Sequence, residues 1–336
     1  MKILIVPVIL ALLAGCATAP KGPQIDTTYN AKGQSSRARF LVLHYTVADK
    51  PTSIKILTEQ QVSAHYLLTD DPQPIIYRLV DETRSAYHAG VSSWKQYTQL
   101  NNSSIGIEIV NAGWKDTPQG RVYAPFPQAQ VDALMVLVKD IVQRNGIAPE
   151  NVLGHSDIAP LRKQDPGPLF PWARLAQEGL VLWPDANRVA LVRPIFEATL
   201  PDVAWFQRKL AAHGFGIAQT GFYDKQTITV LSAFQMKYRP GDISGNMDAE
   251  TATLLEVLTT PANAPLPVVT PPVITSPVPA LPPATEPVPV VPETAPAPAA
   301  PVPLPNPPPA APVPTPATPP TPLPAGPANP AVVNTP

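Results

Sequence analysis

Proline divides this chain more sharply than any other feature of its sequence. Thirty of its 48 prolines lie in the last 76 residues, where the only charged residues are Glu286 and Glu293 and no aromatic residue occurs. Proline supplies no backbone N–H donor, and a segment without large side chains cannot bury enough apolar surface to fold. We therefore expect residues 260–336 to be a disordered, proline-rich tail.

The part before the tail is long enough for two folded units. Without the tail and a short leader, roughly 230 residues remain, against about 100 to 200 for a typical domain. We expect a flexible stalk over residues 16–36, a first domain over 37–183, a linker over 184–199 and a second domain over 200–259. The net charge is −1 and no long run of Lys or Arg occurs, so nucleic acid is not an expected partner. The oligomeric state is left open.

The N-terminus has the layout of a secretory leader. A positively charged start precedes an apolar run from Ile3 to Leu13, which is too short to span a bilayer. The run ends in Leu13-Ala14-Gly15-Cys16, which resembles the bacterial lipobox and contains the only cysteine of the chain. The resemblance implies a signal peptide over residues 1–15 and lipidation of Cys16. Because Ala17 rather than Asp follows, it also implies an outer-membrane lipoprotein that faces the periplasm of a Gram-negative cell.

Residues 37–183 mix strand and helix patterns. Short apolar runs at 40–43, 104–110 and 152–154 predict buried strands, and two apolar segments joined by the turn at 70–74 predict a hairpin. Apolar residues at three- and four-residue spacing between Pro127 and Asn145 predict an amphipathic helix. We expect an α/β domain with a mixed central sheet flanked by helices.

A repeat of 24 residues marks the second unit. Gly221, Asp224 and Thr227 recur at that spacing, each time as a glycine turn, an aspartate placed to cap a helix, and the helix itself. Another helix is predicted from Asp202 to His213. The pattern predicts a small domain of three helices.

Two histidines follow predicted strands directly. His44 ends the first strand and His155 follows strand 152–154, and ligand sites in α/β folds collect at strand ends. Two neutral imidazoles and a carboxylate, with a fourth position left for water, form the ligand set of a catalytic zinc ion. The pattern alone leaves open whether any metal binds. Either Asp157 or Asp165 could be the carboxylate ligand. We prefer Asp165, because Asp157 can instead cap the loop after His155.

These segments resemble the zinc-dependent N-acetylmuramoyl-L-alanine amidases. The resemblance rests on His44, on Ser104-Ile105-Gly106-Ile107-Glu108 and on the run from His155 to Gly167. It implies that His44, His155 and Asp165 hold one zinc ion per chain, that Glu108 is the catalytic base and that Lys163 stabilises the oxyanion. The implied activity is hydrolysis of the amide bond between N-acetylmuramic acid and L-alanine in peptidoglycan or muropeptides. The repeat unit resembles the peptidoglycan-binding helical domain often attached to such enzymes.

Four other residues are expected near the site or in the core. His65 and His88 stand in strings like those of the family, which implies that they contact substrate or support the ligands, with plain packing as the alternative. Arg162 is expected to pair with a carboxylate of the stem peptide. His213 is expected to be structural, because it lies in the last turn of a predicted helix, where a positive charge is favoured.

Two other functions remain as alternatives. One is a non-catalytic lipoprotein that binds peptidoglycan and ties the outer membrane to the wall, against which the intact set of predicted site residues argues. The other is a zinc peptidase that cuts within the stem peptide by similar metal chemistry.

Overall fold

The computed structural model describes residues 23–266, all within one compact unit. The predicted signal peptide, Cys16 and residues 267–336 of the predicted tail lie outside this range. The described strands are β1 Phe40–Tyr45, β2 Tyr66–Leu68, β3 Ile76–Arg78, β4 Ser93–Trp94, β5 Tyr97–Thr98, β6 Ser104–Ile109, β7 Trp114–Thr117, β8 Gly120–Tyr123 and β9 Val152–Gly154. The α-helices are α1 Lys50–Glu59, α2 Gln128–Asn145, α3 His155–Ile158, α4 Trp172–Gln177, α5 Ala186–Ala198, α6 Val203–His213, α7 Lys225–Tyr238 and α8 Ala249–Thr259. In this range no helix is both long and apolar enough to cross a membrane.

The central sheet has five strands in the order β3-β2-β6-β1-β9. The β2–β3 pair is antiparallel and the other neighbours are parallel, so the predicted mixed sheet and its hairpin are confirmed. All six residues of β1 are buried, which explains why this central strand is a continuous apolar run rather than an alternating one.

The two faces of β1 pack against different layers. Leu41 and Leu43 join the core formed with α2, the helix that the apolar spacing predicted. Phe40 and Val42, on the other face, pack in one core with Phe206 and other residues of the C-terminal helices. Both faces of the sheet are therefore covered, and the C-terminal helical unit supplies one of the covers.

The repeat has a structural explanation. Asp224 and Asp248 cap α7 and α8 by accepting the backbone N–H of the third following residue, as predicted. Gly221 and Gly245 have φ values of 74° and 78°, which side-chain-bearing residues rarely adopt. The buried amides of Gln207 and Gln235 accept the N–H groups of these glycines and donate to a threonine hydroxyl of the following helix. The repeated residues therefore form the turns and helix caps of this part of the fold.

One local prediction is wrong. Residues 184–199 form mainly the helix α5, capped by Asp185, and not a linker. Pro194 lies inside this helix on its exposed side, while Val192 and Phe196 pack into the same core as α8. Residues 200–259 contain the three predicted helices α6, α7 and α8, and α5 packs with them, so that α5 to α8 form the C-terminal helical unit. In the first domain, α1 begins at Lys50 and is capped by Asp49, whose carboxylate accepts the N–H of Thr52 at 2.9 Å.

Candidate metal centre and active site

Strand register brings the predicted site residues to one edge of the sheet. His44 on β1 lies opposite Glu108 on the parallel strand β6. On the other side of β1, Leu43 pairs with Gly154, the last residue of β9, so that His155 follows beside His44. Parallel strands end at a common edge, and polar residues placed there converge without help from their sequence spacing.

Three side chains at this edge form a compact cluster. Nδ1 of His44 lies 2.9 Å from Nδ1 of His155, and each of these atoms is 3.0 Å from Oδ2 of Asp165. All three residues are buried, and together they form the group of side chains within residues 23–266 that could hold a metal ion.

The charge states of the cluster suit a divalent cation. Burial, and then the neighbouring His155, lower the pKa of His44 to about 4, so its imidazole is neutral at physiological pH. Burial alone would raise the pKa of Asp165, but the two imidazoles outweigh it and hold the pKa well below the usual range. A neutral His44 imidazole and an ionised Asp165 carboxylate are in the protonation states that metal coordination requires. Two nitrogens and one oxygen fit zinc with a position left open.

A chain of buried hydrogen bonds supports His44 from behind. Its Nε2 lies 3.0 Å from Nδ1 of His88, whose own Nε2 lies 3.1 Å from the Ser104 hydroxyl. Ser104 donates to the Leu100 carbonyl oxygen at 2.6 Å. With that direction fixed, each N–H donates to the next group and Nδ1 of His44 keeps a free lone pair toward the cluster. Sequence reasoning missed Ser104, because a single serine at the start of a strand gives no signal.

Gly106 makes room for this chain. A Cβ atom at position 106 would lie 2.5 Å from the His88 ring, so any larger residue would displace the imidazole. The glycine in the Ser104–Glu108 run therefore has a packing role. His155 is supported separately, since its Nε2 lies 3.2 Å from the Ala89 carbonyl oxygen.

Glu108 lies beside the cluster without belonging to it. Its Oε1 is 4.0 Å from Nδ1 of His44, while its Oε2 is buried without a hydrogen-bond partner among the described residues. Burial, and then the nearby Asp165, raise the pKa of Glu108 to about 8, whereas Lys163 acts in the opposite direction. A buried carboxylate oxygen without a hydrogen-bond partner destabilises the fold, and such oxygens are typical of groups that take part in a reaction.

A cavity of about 200 Å³ opens onto these groups. Its lining includes Glu108, Lys163, His155 and Asp165, together with Thr46 and Tyr87. Tyr87 is 63% exposed, so this part of the cavity lining reaches solvent. The structure thus places all five residues of the predicted zinc and catalytic set in or beside one cavity.

The rival carboxylate points elsewhere. Asp157 accepts the backbone N–H of Gly154 at 2.8 Å, which is the capping role that its position allows, and its same oxygen is 2.8 Å from Nζ of Lys237. The main chain after His155 instead brings Asp165 back to the cluster, where Ser156 N–H donates to the Asp165 carbonyl oxygen at 2.8 Å.

Three other residues with expected roles make contacts within the fold. His65 is fully buried and does not line the cavity; its Nδ1 accepts the Gly106 N–H and its Nε2 lies beside the Arg84 carbonyl oxygen, which agrees with the packing alternative. Arg162 donates to the Ala89 and Val91 carbonyl oxygens through Nη2 and holds a loop. His213 is structural as expected, but not as a cation, because burial and then the Lys237 charge lower its pKa to about 3.

Comparison with known proteins identifies two families in the chain. Residues 34–168 match the N-acetylmuramoyl-L-alanine amidase family, and residues 199–255 match a peptidoglycan binding domain. The N-acetylmuramoyl-L-alanine amidase AmiD of Escherichia coli strain K12 is 43% identical over 258 residues, which are 74% of this chain and 93% of AmiD. The 1,6-anhydro-N-acetylmuramyl-L-alanine amidase AmpD of Enterobacter cloacae is 36% identical over 113 residues, 34% of this chain and 54% of AmpD.

Two solved structures are similar over most of the chain. Escherichia coli AmiD in complex with the substrate anhydro-N-acetylmuramic acid-L-Ala-D-gamma-Glu-L-Lys has a TM-score of 0.65 at 42% identity, covering 70% of this chain and 94% of that one. AmpDh3 of Pseudomonas aeruginosa in complex with anhydromuramic pentapeptide has a TM-score of 0.65 at 39% identity, covering 70% of this chain and 97% of that one.

Proposed function

The chain belongs to the N-acetylmuramoyl-L-alanine amidase family, and from that membership we propose a zinc-dependent mechanism in which His44, His155 and Asp165 hold the ion. Family membership confirms the predicted resemblance and the reaction, which is hydrolysis of the amide between N-acetylmuramic acid and L-alanine. The observation that supports the site assignment is the buried cluster of two imidazoles and a carboxylate next to the partnerless oxygen of Glu108.

The protein's own residues divide the work of amide hydrolysis. His44, His155 and Asp165 would hold the zinc ion, which would supply a water molecule with a pKa near 7 and a positive charge beside the substrate carbonyl group. With a cation held by the neighbouring ligands, which would lower its pKa, the ionised Glu108 would accept a proton of the attacking water and deliver it to the departing nitrogen of L-alanine. The Lys163 ammonium group, which lines the same cavity, stabilises the negative charge that develops on the carbonyl oxygen.

We propose a muropeptide with an anhydro-muramic acid end as the substrate class. This rests on two structural relatives whose bound molecules are an anhydro-muramyl tripeptide and an anhydromuramic pentapeptide, respectively. The buried ligands end on a cavity whose lining reaches solvent at Tyr87, which suits a substrate presented from solution or from the end of a glycan strand. Residues 200–259, as the proposed peptidoglycan-binding domain, would hold the enzyme at the wall.

We further propose that the protein is an outer-membrane lipoprotein anchored through Cys16. Only the lipobox-like sequence supports this, since these residues lie outside the described range. A substrate in peptidoglycan is consistent with work in the periplasm. Cys16→Ser should release the protein from membranes, because acyl chains contribute about 0.8 kcal/mol per buried methylene. A variant that still pellets with membranes after a salt wash would argue against the anchor.

Product analysis tests the reaction itself. Purified anhydro-muramyl tripeptide and intact peptidoglycan are digested with the full chain, and new amino termini are identified. An amidase releases peptide with L-alanine at its N-terminus, whereas a stem-peptide peptidase exposes another residue. A non-catalytic binding protein releases nothing. Glu108→Gln protein loaded with zinc is the matched control, because it keeps the shape of the site and loses the base.

A further inference from the structure

We propose that Lys237, on helix α7 of the C-terminal helical unit, is a positioning residue for the metal site. It holds the segment that carries His155 in place from outside the catalytic region. The inference rests on the proposed zinc-dependent function. It adds that zinc binding depends on the packed helical unit as well as on the three ligands.

The contacts of the Lys237 ammonium group fix both sides of His155. Nζ lies 2.8 Å from Oδ2 of Asp157 and 3.1 Å from the Val152 carbonyl oxygen. Val152 starts strand β9 and Asp157 lies in helix α3, so the ammonium group spans the strand-to-helix junction at which His155 stands. The same Asp157 oxygen accepts the Gly154 N–H, which ties the junction together from inside.

Burial holds the ion pair of Lys237 and Asp157 in one arrangement. The side chains of Lys237 and Asp157 are 4% and 1% exposed, respectively, and Nζ lies 4.3 Å from the centre of the Trp172 ring. In such a site either charge alone would be uncompensated, so the two groups keep one arrangement. Attachment of the helical unit to the sheet does not require an ion pair, because Phe206 and Phe234 already pack in one core with Phe40.

The junction is linked to the other ligand as well. Ser156, the residue after His155, donates its N–H to the carbonyl oxygen of Asp165 at 2.8 Å. A shift of helix α3 would therefore move both His155 and Asp165 relative to His44, which sits on a different strand. Metal affinity depends on such supporting interactions, whose loss typically costs about 10- to 100-fold.

The test compares K237M with K209M in the full chain. Lys209 forms an ion pair with Glu256 at 2.6 Å inside the helical unit, so K209M removes a partly buried lysine that does not touch the catalytic segment. Zinc dissociation constants are measured by chelator competition, alongside Tm, kcat and KM on a soluble anhydro-muramyl tripeptide. We expect K237M to weaken zinc binding by about 10- to 100-fold and to lower kcat with little change in KM, while K209M leaves both values near wild type.

Two outcomes would overturn the proposal. One is a K237M protein with the wild-type zinc affinity; the other is a loss of affinity that K209M shows equally. If K237M does not fold, K237M/D157N, which leaves no lone buried charge, replaces it and should show the same loss of zinc affinity. Wild-type protein that binds zinc but leaves the amide intact would refute the proposed function alone, since the affinity comparison stands without turnover.

Discussion

Nε2 of His44 lies 3.0 Å from Nδ1 of His88, and both rings are buried at the back of the metal cluster. This contact fixes which nitrogen of His44 carries the proton. The hydroxyl of Ser104 continues the chain to the Leu100 carbonyl oxygen, so each member has a defined donor direction. A ligand oriented in this way needs no rearrangement when an ion binds.

Loss of this chain should weaken metal binding. Ser104→Ala removes the acceptor for the His88 N–H, and His88→Ala removes the partner of His44, so we expect zinc affinity to fall by about 10- to 100-fold. Ser92→Ala is the control, because Ser92 is also buried and bonds to the Leu100 N–H without touching His88. Chelator competition measures the three variants together. Equal zinc affinity in Ser92→Ala and Ser104→Ala would refute the role of the chain.

The zinc content of variants should distinguish Glu108, the proposed base, from the three proposed zinc ligands. Replacement of any one ligand by alanine should abolish both zinc binding and activity, because the two ligands that remain cannot hold the ion. The variants are His44→Ala, His155→Ala and Asp165→Ala. Glu108→Gln should keep about one zinc per chain while its rate falls by about 10² to 10⁴, the usual contribution of a positioned base. Elemental analysis beside turnover on the muramyl tripeptide gives both readouts. Purification of Glu108→Gln without zinc would make Glu108 a ligand.

Lys163 should contribute charge without holding the metal. Lys163→Ala should retain zinc and lose rate by about 10² to 10³, the range measured when one stabilising donor is removed. Lys163→Arg keeps a positive charge and should recover part of the loss. Steady-state kinetics on zinc-loaded protein checks this. A normal kcat in Lys163→Ala would assign oxyanion stabilisation to another group.

Glu82 should make stability depend on pH in the acid range. Burial would raise its pKa, but hydrogen bonds from Arg144, Tyr66 and Asn145 outweigh it and lower the pKa to about 2. The ionised carboxylate therefore stabilises the fold above its unfolded pKa of about 4.5, and this contribution is lost as pH falls toward 2.

The Tm of Glu82→Gln should accordingly lie below that of wild type at pH 7, and the gap should shrink between pH 4.5 and 2.5. Thermal unfolding of the zinc-free proteins across this range measures the gap. Asp132→Asn is the control, since Asp132 forms an exposed pair with Arg174 that contributes little. A gap that stays constant with pH would show that Glu82 acts by packing alone.

Much of the catalytic region followed from local sequence. Three buried strands, the hairpin, helix α2 with its C-terminal Gly146, and the capped repeat helices are set by apolar spacing and by capping residues, which act over a few positions. His44, Glu108 and His155 stand at the ends of strands, and parallel pairing brings such ends together whatever their separation in the chain. The metal set was therefore predictable as a hypothesis.

Contacts between distant segments decided the rest. Asp157 and Asp165 are chemically alike, and both follow His155. Only the fold shows that Asp157 pairs with Lys237, 80 residues away, while Asp165 joins the cluster. The apolar run of β1 predicted a buried strand but not that a helical unit more than a hundred residues later covers one face. The sequence by itself determined the main strands, helix α2, the capped repeat helices and the chemistry at the strand ends. Tertiary structure decided the partners, because side-chain contacts depend on where each element packs and not on its local pattern.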